Sequence, residues 1–287
     1  MSDLKNYSIA DLNNEIQSRF ENTIHFKKFK LTINPTIGGG VYRSNEIYAG
    51  TNDRFYSILK KIFDLNVFID IGANIGLSTL EVNTVFPEAK KILIEPNKCL
   101  TPLIRINLEQ NNVVNYRIIN CIVGDKECEI RWQRNLNFCV DSRVTGLERD
   151  FKYEIADQIT LQSILDNNAK NSDSIFIKID TQGYEERVII GGLDYLKNNH
   201  NYYIKMEFAP FWLESQGTNP RLFLDFLIGN FDVAELHRIS YKTRQIKELF
   251  DKKLLKSDVD NFIKYVKYQG KDDKGWVELL IKNHKML

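Results

Sequence analysis

The stretch VFIDIGANIGLSTL, residues 67–80, sets an apolar strand against a glycine-rich turn that opens into a helix. Packing alone has no need of Asp70, Gly72, Ala73, Asn74 and Gly76 at the mouth of a buried strand. Glycine at 72 allows a sharp turn and a close approach to a ligand, and Gly76 lets the helix start lie near the strand. A helix start offers unpaired N–H groups and partial positive charge, which suits a carboxylate or phosphate. In the dinucleotide fingerprint GxGxxG the middle glycine makes room for a pyrophosphate. Here the run is G-A-N-I-G, and Asn74 occupies that slot. Its side chain crowds a pyrophosphate but can hydrogen-bond something smaller. Glu95, followed by Pro96 and Asn97, lies 19 residues beyond Gly76, where a second strand ends and a ribose could be held. An adenosine ligand without a pyrophosphate fits this pattern, and S-adenosylmethionine is such a ligand.

Outward from this turn the chain alternates strand and helix. AKKILIEP (89–96), NYRIINCIVGD (115–125), SIFIKID (174–180) and YYIKMEFAP (202–210) read as further strands. The helices expected between them are NIGLSTLEVNTVF, NKCLTPLIRINLEQNN, TLQSILDNN and YEERVIIGGLDYLKNN. Another helix is expected near 219–229, then two closing strands, FDVAELHRI and GWVELLIKN. Nearly all-apolar strands alternating with helices imply an α/β fold whose parallel sheet is covered on both faces. In such sheets ligands bind outside the carboxyl ends of the strands. Asp70, Glu95, Asp125, Asp180 and Glu207 are all expected at those ends. The segment 126–155 lacks a helical period and reads as a hairpin insertion in a domain spanning 61–287. Residues 1–60 read as a small N-terminal appendage, with a helix over 8–20 and then a strand, turn and strand.

Composition limits the partners. Lys and Arg total 39 against 38 Asp and Glu, and a duplex-binding surface is usually strongly basic, so the expectation is no nucleic acid. No apolar run approaches the ~20 residues of a membrane span. The start, MSDLKNYSIADLNNE, lacks the basic-then-apolar pattern of a signal peptide, so a cytoplasmic location is expected. Cys99, Cys121, Cys128 and Cys139 form no CxxC pair and read as buried free thiols. The four histidines are scattered, so no structural metal site is expected.

FIDIGANIG (68–76), EPN (95–97), VGDKE (123–127) and IKIDTQGYEERVIIGG (177–192) resemble, in order and spacing, the FkbM family of methyltransferases. The resemblance covers about 66–210. It implies a class I methyltransferase (Rossmann-like) fold, with a seven-stranded, mostly parallel sheet in which GWVELLIKN is the reversed strand. It implies S-adenosyl-L-methionine at the 70–76 turn, ribose on Glu95 and adenine near 121–125. Family members methylate hydroxyl oxygens, often on sugars or polyketide products. Two positions depart from the family pattern: LQSIL stands where LDDLL is usual, and Gln182 often appears as Glu.

An alcohol is a weak nucleophile at neutral pH, so a base near its proton helps. Ile177-Lys178-Ile179-Asp180 and Ile204-Lys205-Met206-Glu207 carry matching patterns, and alternation puts each lysine on the face of its acid. If the strands are neighbours, two lysines and two acids form a polar cluster. Asp180 is the candidate base, with Lys178 adjusting its charge and Glu207 sharing the task or helping to hold a divalent ion. An ion-pair network that orients the strand ends is the alternative. Phe208, Phe211 and Trp212 could form an apolar platform for a sugar. The lysines of 242–274 read as a solvated helix face, and His237 is a reserve base. The acceptor is expected to be a small molecule or glycan. A nicotinamide-dependent oxidoreductase and a non-catalytic binding module on the same fold are the rivals.

Overall fold

The structure, a computed structural model, describes residues 23–26, 28–32, 51–135, 151–236 and 243–286. The helix expected over 8–20, Cys139, His237 and Lys242 lie outside these residues. The strands in chain order are β1 (Thr23–Phe26), β2 (Phe29–Thr32), β3 (Val67–Ile71), β4 (Lys90–Ile94), β5 (Tyr116–Ile119) and β6 (Ile122–Gly124). There follow β7 (Cys128–Asn135), β8 (Phe151–Thr160), β9 (Ile175–Ile179), β10 (Tyr202–Phe208), β11 (Phe231–Glu235) and β12 (Val277–Asn283).

Seven strands form the main sheet in the order β11-β12-β10-β9-β3-β4-β5. β5, β4, β3, β9 and β10 run parallel, and β12 is antiparallel to both its neighbours, β10 and β11. Strand order reverses beside β3, with β4 on one side and β9 on the other, which opens a crevice at the carboxyl ends there. This order with one reversed strand is the Rossmann-like class I methyltransferase fold, as expected, with GWVELLIKN supplying the reversed strand.

Both faces of the sheet are covered. Ile69, Ile177, Ile204 and Met206 pack with helix residues such as Val188, Leu196, Phe223 and Phe262. On the other face Phe68, Phe176 and Tyr203 pack with Phe55, Tyr56 and Leu59 of the helix Thr51–Leu59. Phe68 and Phe176 stack with centroids 5.6 Å apart. Burying each such ring contributes about 1.5–3 kcal/mol. The same face becomes polar toward the carboxyl ends, and the site begins there.

Three local readings are corrected. NYRIINCIVGD is two strands rather than one: β5 ends at Ile119, and β6 leaves the main sheet to pair with β8 in a three-stranded sheet, β6-β8-β7. The helix expected over YEERVIIGGLDYLKNN is two, Glu185–Ile190 and Leu193–Asn198. A Cβ on Gly191 at the break would stand 1.9 Å from the Gly124 carbonyl oxygen, so the close packing there requires glycine. The strand expected over YYIKMEFAP ends at Phe208, and its last residue, Pro210, opens the helix Pro210–Ser215. Of the cysteines, Cys121 is buried, while Cys99 is exposed and Cys128 partly so. No helix of the described residues is long and apolar enough to cross a membrane.

Candidate functional site

The turn after β3 is held by backbone geometry. Gly72, Asn74 and Gly76 have φ of 77°, 51° and 88°, the left-handed region. Gly72 and Ala73 N–H groups donate to the Ile94 carbonyl, each at 3.0 Å, and Gly76 N–H donates to the Ala73 carbonyl at 2.8 Å. The helix that follows is shorter than expected, Leu77–Asn83. Gly72 has a cause that the sequence does not show. A Cβ there would meet the Asp180 carbonyl oxygen at 1.9 Å. The close approach is to β9's end, inside the protein, rather than to a ligand. At Gly76 an added Cβ would make only ordinary contacts at 3.6 Å and beyond, so its positive φ is what favours glycine.

Glu95 stands across from this turn, 7% exposed. Its Oε2 accepts the Asn74 N–H and its Oε1 accepts the Asn97 N–H, both at 2.9 Å. Asn74 therefore acts through its backbone, which orients the Glu95 carboxylate toward the turn. Burial pushes the Glu95 carboxyl up to about 7, while the two backbone donors pull the other way. Each oxygen keeps a lone pair for a further donor. Asn97 caps the next turn by accepting the Cys99 N–H at 3.1 Å, and its buried Nδ2 has no hydrogen-bond partner.

Asp70, Lys178 and Lys205 stand side by side across β3, β9 and β10. Asp70 is fully buried; its Oδ2 accepts from the Thr79 hydroxyl at 2.7 Å, and its Oδ1 lies 3.6 Å from Lys178 Nζ. Lys178 also donates to the Gly72 carbonyl at 2.8 Å and stands 3.3 Å from Asp180 Oδ2. It thus ties the turn to the candidate base. Lys205 turns instead to Glu278 of β12, at 2.6 Å. Of the expected cluster of two lysines and two acids, Lys178 meets Asp180, whereas Lys205 pairs with Glu278 rather than Glu207.

Asp180 has a 40% exposed side chain at the crevice. Gln182, at φ 56°, donates to Asp180 Oδ1 at 3.1 Å and reaches Glu207 Oε2 at 3.5 Å. Glu185 Oε1 accepts the Thr181 and Gly183 N–H groups at 2.8 Å and 3.2 Å, which folds the loop. Burial and then repulsion from Asp180 and Glu185 hold the Glu207 carboxyl well above the usual carboxylate range.

Residues 41–231 match the family described as Vibrio cholerae RfbT protein, more than half of the chain. The chain belongs to that family. The match carries the RfbT name rather than the FkbM name suggested by the motifs. Ribosomal RNA small subunit methyltransferase C of Buchnera aphidicola subsp. Baizongia pistaciae is 27% identical over 145 residues, which is 50% of this chain and 42% of that protein. The chain therefore spans about two fifths of the length of that curated relative. Among solved structures, precorrin-6y C5,15-methyltransferase of Geobacter metallireducens GS-15 aligns at a TM-score of 0.41 and 13% identity, covering 84% of this chain and 92% of that one. The O-methyltransferase TomG of Streptomyces achromogenes, in complex with SAM, aligns at 0.44 and 10%, covering 83% and 81%. The strand order above, and not these likenesses, establishes the fold.

The RfbT-family match spans the turn, Glu95, Asp180 and Glu207 alike. Four of the five expected strand-end acids fall at the carboxyl ends of main-sheet strands; Asp125 does not. It follows β6, where its Oδ2 accepts from Arg187 at 3.1 Å and its buried Oδ1 has no hydrogen-bond partner. Asn120 takes the place after β5, donating to the Glu95 carbonyl at 3.0 Å and to the Thr101 hydroxyl at 2.7 Å. Phe208 is fully buried in the core and is no platform. Phe211 and Trp212 remain partly exposed and meet edge-on at 4.8 Å. Among the described residues no group of three or more His, Cys, Asp or Glu could hold a metal ion. No local pattern marks Gln182 as a link between Asp180 and Glu207, because that link depends on β9 and β10 being neighbours.

Proposed function

We propose that this RfbT-family chain is a methyltransferase that moves a methyl group from S-adenosylmethionine to a hydroxyl oxygen of a sugar, nucleotide sugar or glycan. One observation carries the reading. The Glu95 carboxylate is held by the Asn74 and Asn97 backbone N–H groups at the crevice of a class I methyltransferase sheet. The residues fit the donor: free lone pairs on Glu95 suit the two hydroxyls of a ribose, and Asn97 Nδ2 is a buried donor without a partner. The RfbT-family match, the relative named as a methyltransferase and the FkbM-like motifs support the same class. The FkbM resemblance alone supports a hydroxyl acceptor on a carbohydrate.

When bound, S-adenosylmethionine supplies a methyl group already activated by its sulfonium. The protein's share is then to bind, to align and to keep water out. The 70–76 turn, with Ala73 and Gly76, and the Glu95-Pro96 strand end would hold the donor. Asp125 would act only from its position behind β6. Lys178 fixes the Gly72 carbonyl and Asp180 together, so donor site and base share one anchor. Asp180 would take the acceptor proton onto a carboxylate oxygen. Burial, and then its acidic neighbours, favour the neutral form of Glu207, which would donate a hydrogen bond rather than accept that proton.

The test is release of the demethylated donor across nucleotide sugars and glycans, with and without a chelator, beside calorimetry with S-adenosylhomocysteine and with NADH. Binding of NADH and not of S-adenosylhomocysteine would overturn the reading in favour of an oxidoreductase. A ribosomal RNA acceptor is a second reading, favoured by the name of the Buchnera relative. The near-balance of 39 basic and 38 acidic residues weighs against it. Methylation of RNA and of no carbohydrate would decide for it.

A further inference from the structure

We infer that Asn107 is a positioning residue through which the β1–β2 hairpin braces the donor-binding turn. This rests on the reading that the 70–76 turn holds the donor. Asn107 is fully buried on the helix Thr101–Gln110. Its Oδ1 accepts the Thr32 N–H at 2.7 Å, at the end of β2. Its Nδ2 donates to the Ile75 carbonyl at 3.0 Å, inside the turn. One carboxamide thus spans three segments far apart in sequence. A buried amide is costly unless its bonds are made, and an apolar residue of similar size would leave both the Thr32 N–H and the Ile75 carbonyl without this partner.

The hairpin meets the turn a second way. Phe29 and Leu31 of β2 are buried in one cluster with Ala73, Ile75 and Leu77. Lys30 of the same strand is clasped by the helix: its N–H donates to Asn111 Oδ1 at 3.0 Å, and its carbonyl accepts from Asn111 and Gln110 side chains, each at 2.7 Å. Ile75 lies between two residues of positive φ, Asn74 and Gly76. That conformation costs energy for Asn74 and needs an outside hold. Glu95 supplies the hold on the crevice side, through the Asn74 N–H. Asn107 and the hairpin supply it from behind. The hairpin is a working part of the donor site, although none of its residues faces the crevice by these contacts.

Two variants separate the bracing from folding. Asn107→Asp keeps an acceptor for the Thr32 N–H but sets a carboxylate against the Ile75 carbonyl. Leu31→Ala thins the hairpin's contact and leaves every side chain of the turn intact. For each variant that shows cooperative thermal unfolding, the Kd for S-adenosylhomocysteine by calorimetry should rise about tenfold, the size expected for one lost buried hydrogen bond or packing contact. Amide hydrogen exchange over residues 72–77 should speed up in parallel, while acceptor KM stays within about twofold. If Asn107→Asp does not fold, Leu31→Ala decides alone. Wild-type affinity in the folded variants, or an equal loss of acceptor and donor binding, overturns the brace. Failure of the wild-type protein to bind S-adenosylhomocysteine overturns the donor reading instead.

Discussion

One methyl group added at Gly72 should cost far more than one added at Gly76, although both glycines sit in the left-handed region. The conformational term is common to the two and amounts to ~1 kcal/mol or slightly more for alanine. The steric term is not. At Gly76 the new Cβ finds ordinary contacts with Ile104, Leu108 and Leu93 at 3.6–3.8 Å. At Gly72 it lies 1.9 Å from the Asp180 carbonyl oxygen, and ordinary contact starts at 3.4 Å, so the ends of β3 and β9 must part by about 1.5 Å. The Asp180 N–H donates to the Ile71 carbonyl at 3.1 Å, and that bond resists the parting. Forcing atoms into a packed interior costs ~1–3 kcal/mol. Gly72→Ala should therefore lose about 3 kcal/mol and Gly76→Ala about 1 kcal/mol. In a chain of this size each kcal/mol moves Tm by roughly 2–4 °C, so the two differ by about 4–8 °C. Urea unfolding and calorimetric Tm measure the gap. Equal losses would show that β9 does not crowd the turn, and the close approach of Gly72 to Asp180 would be wrong. Gly72→Val should destabilise the fold more than alanine does.

Glu95→Gln should weaken S-adenosylhomocysteine binding by about 1.5–3 kcal/mol, roughly ten- to a hundredfold in Kd. Because burial raises the Glu95 carboxyl to about 7, the ionised form that a diol donates to appears only as pH rises through that value. Wild-type affinity should climb across that range and Glu95→Gln affinity should not; a flat wild-type profile by calorimetry counts against a Glu95–diol contact. Asp180→Asn should cut kcat by about a hundredfold and leave donor Kd within a few fold, and retained turnover would remove Asp180 as the base. Lys178→Met leaves buried Asp70 without its cation and should cost about 3–5 kcal/mol in urea unfolding. A loss under ~1 kcal/mol would mean that Asp70 does not depend on Lys178.

Periodicity and local chemistry carried much of the fold. Strands that are apolar at nearly every position, such as IFIKI and YYIKMEF, read as buried parallel strands because helices cover both faces. The turn at 72–76 and Glu95 were legible because glycine, asparagine and a strand-end acid are costly choices for packing alone. The reasons behind them were less legible. Gly72 answers to Asp180, more than a hundred residues away in the chain, and no local pattern encodes that contact. Asp125 was misplaced because one polar residue, Asn120, within the otherwise apolar run IINCIVG does not signal that the chain changes sheets between Ile119 and Ile122. The helix Pro210–Ser215 is too short to show a period, and its proline fits a helix start as well as a loop. Lys178 and Lys205 have closely matching local sequence settings, IKID and IKME. Only the strands beside them, β3 for one and β12 for the other, decide which acid each meets.

Between β10 and β11 the sheet leaves a slot that the last strand must fill. Among the described residues β11 bonds to no strand but β12, and β10 has β12 as its partner on that side. On the ribosome, β11 emerges some forty residues before that mate. Until β12 arrives, β10 presents a bare apolar edge and β11 has nowhere to dock. Such an unpaired edge is an invitation to other chains. Of the elements made in the interval, the helix Lys247–Phe250 packs on β11 and the helix Val259–Tyr268 packs on the helix Pro220–Asn230. A ribosome stalled before residue 277 should hold a nascent chain whose turn end is already set and whose opposite flank still aggregates.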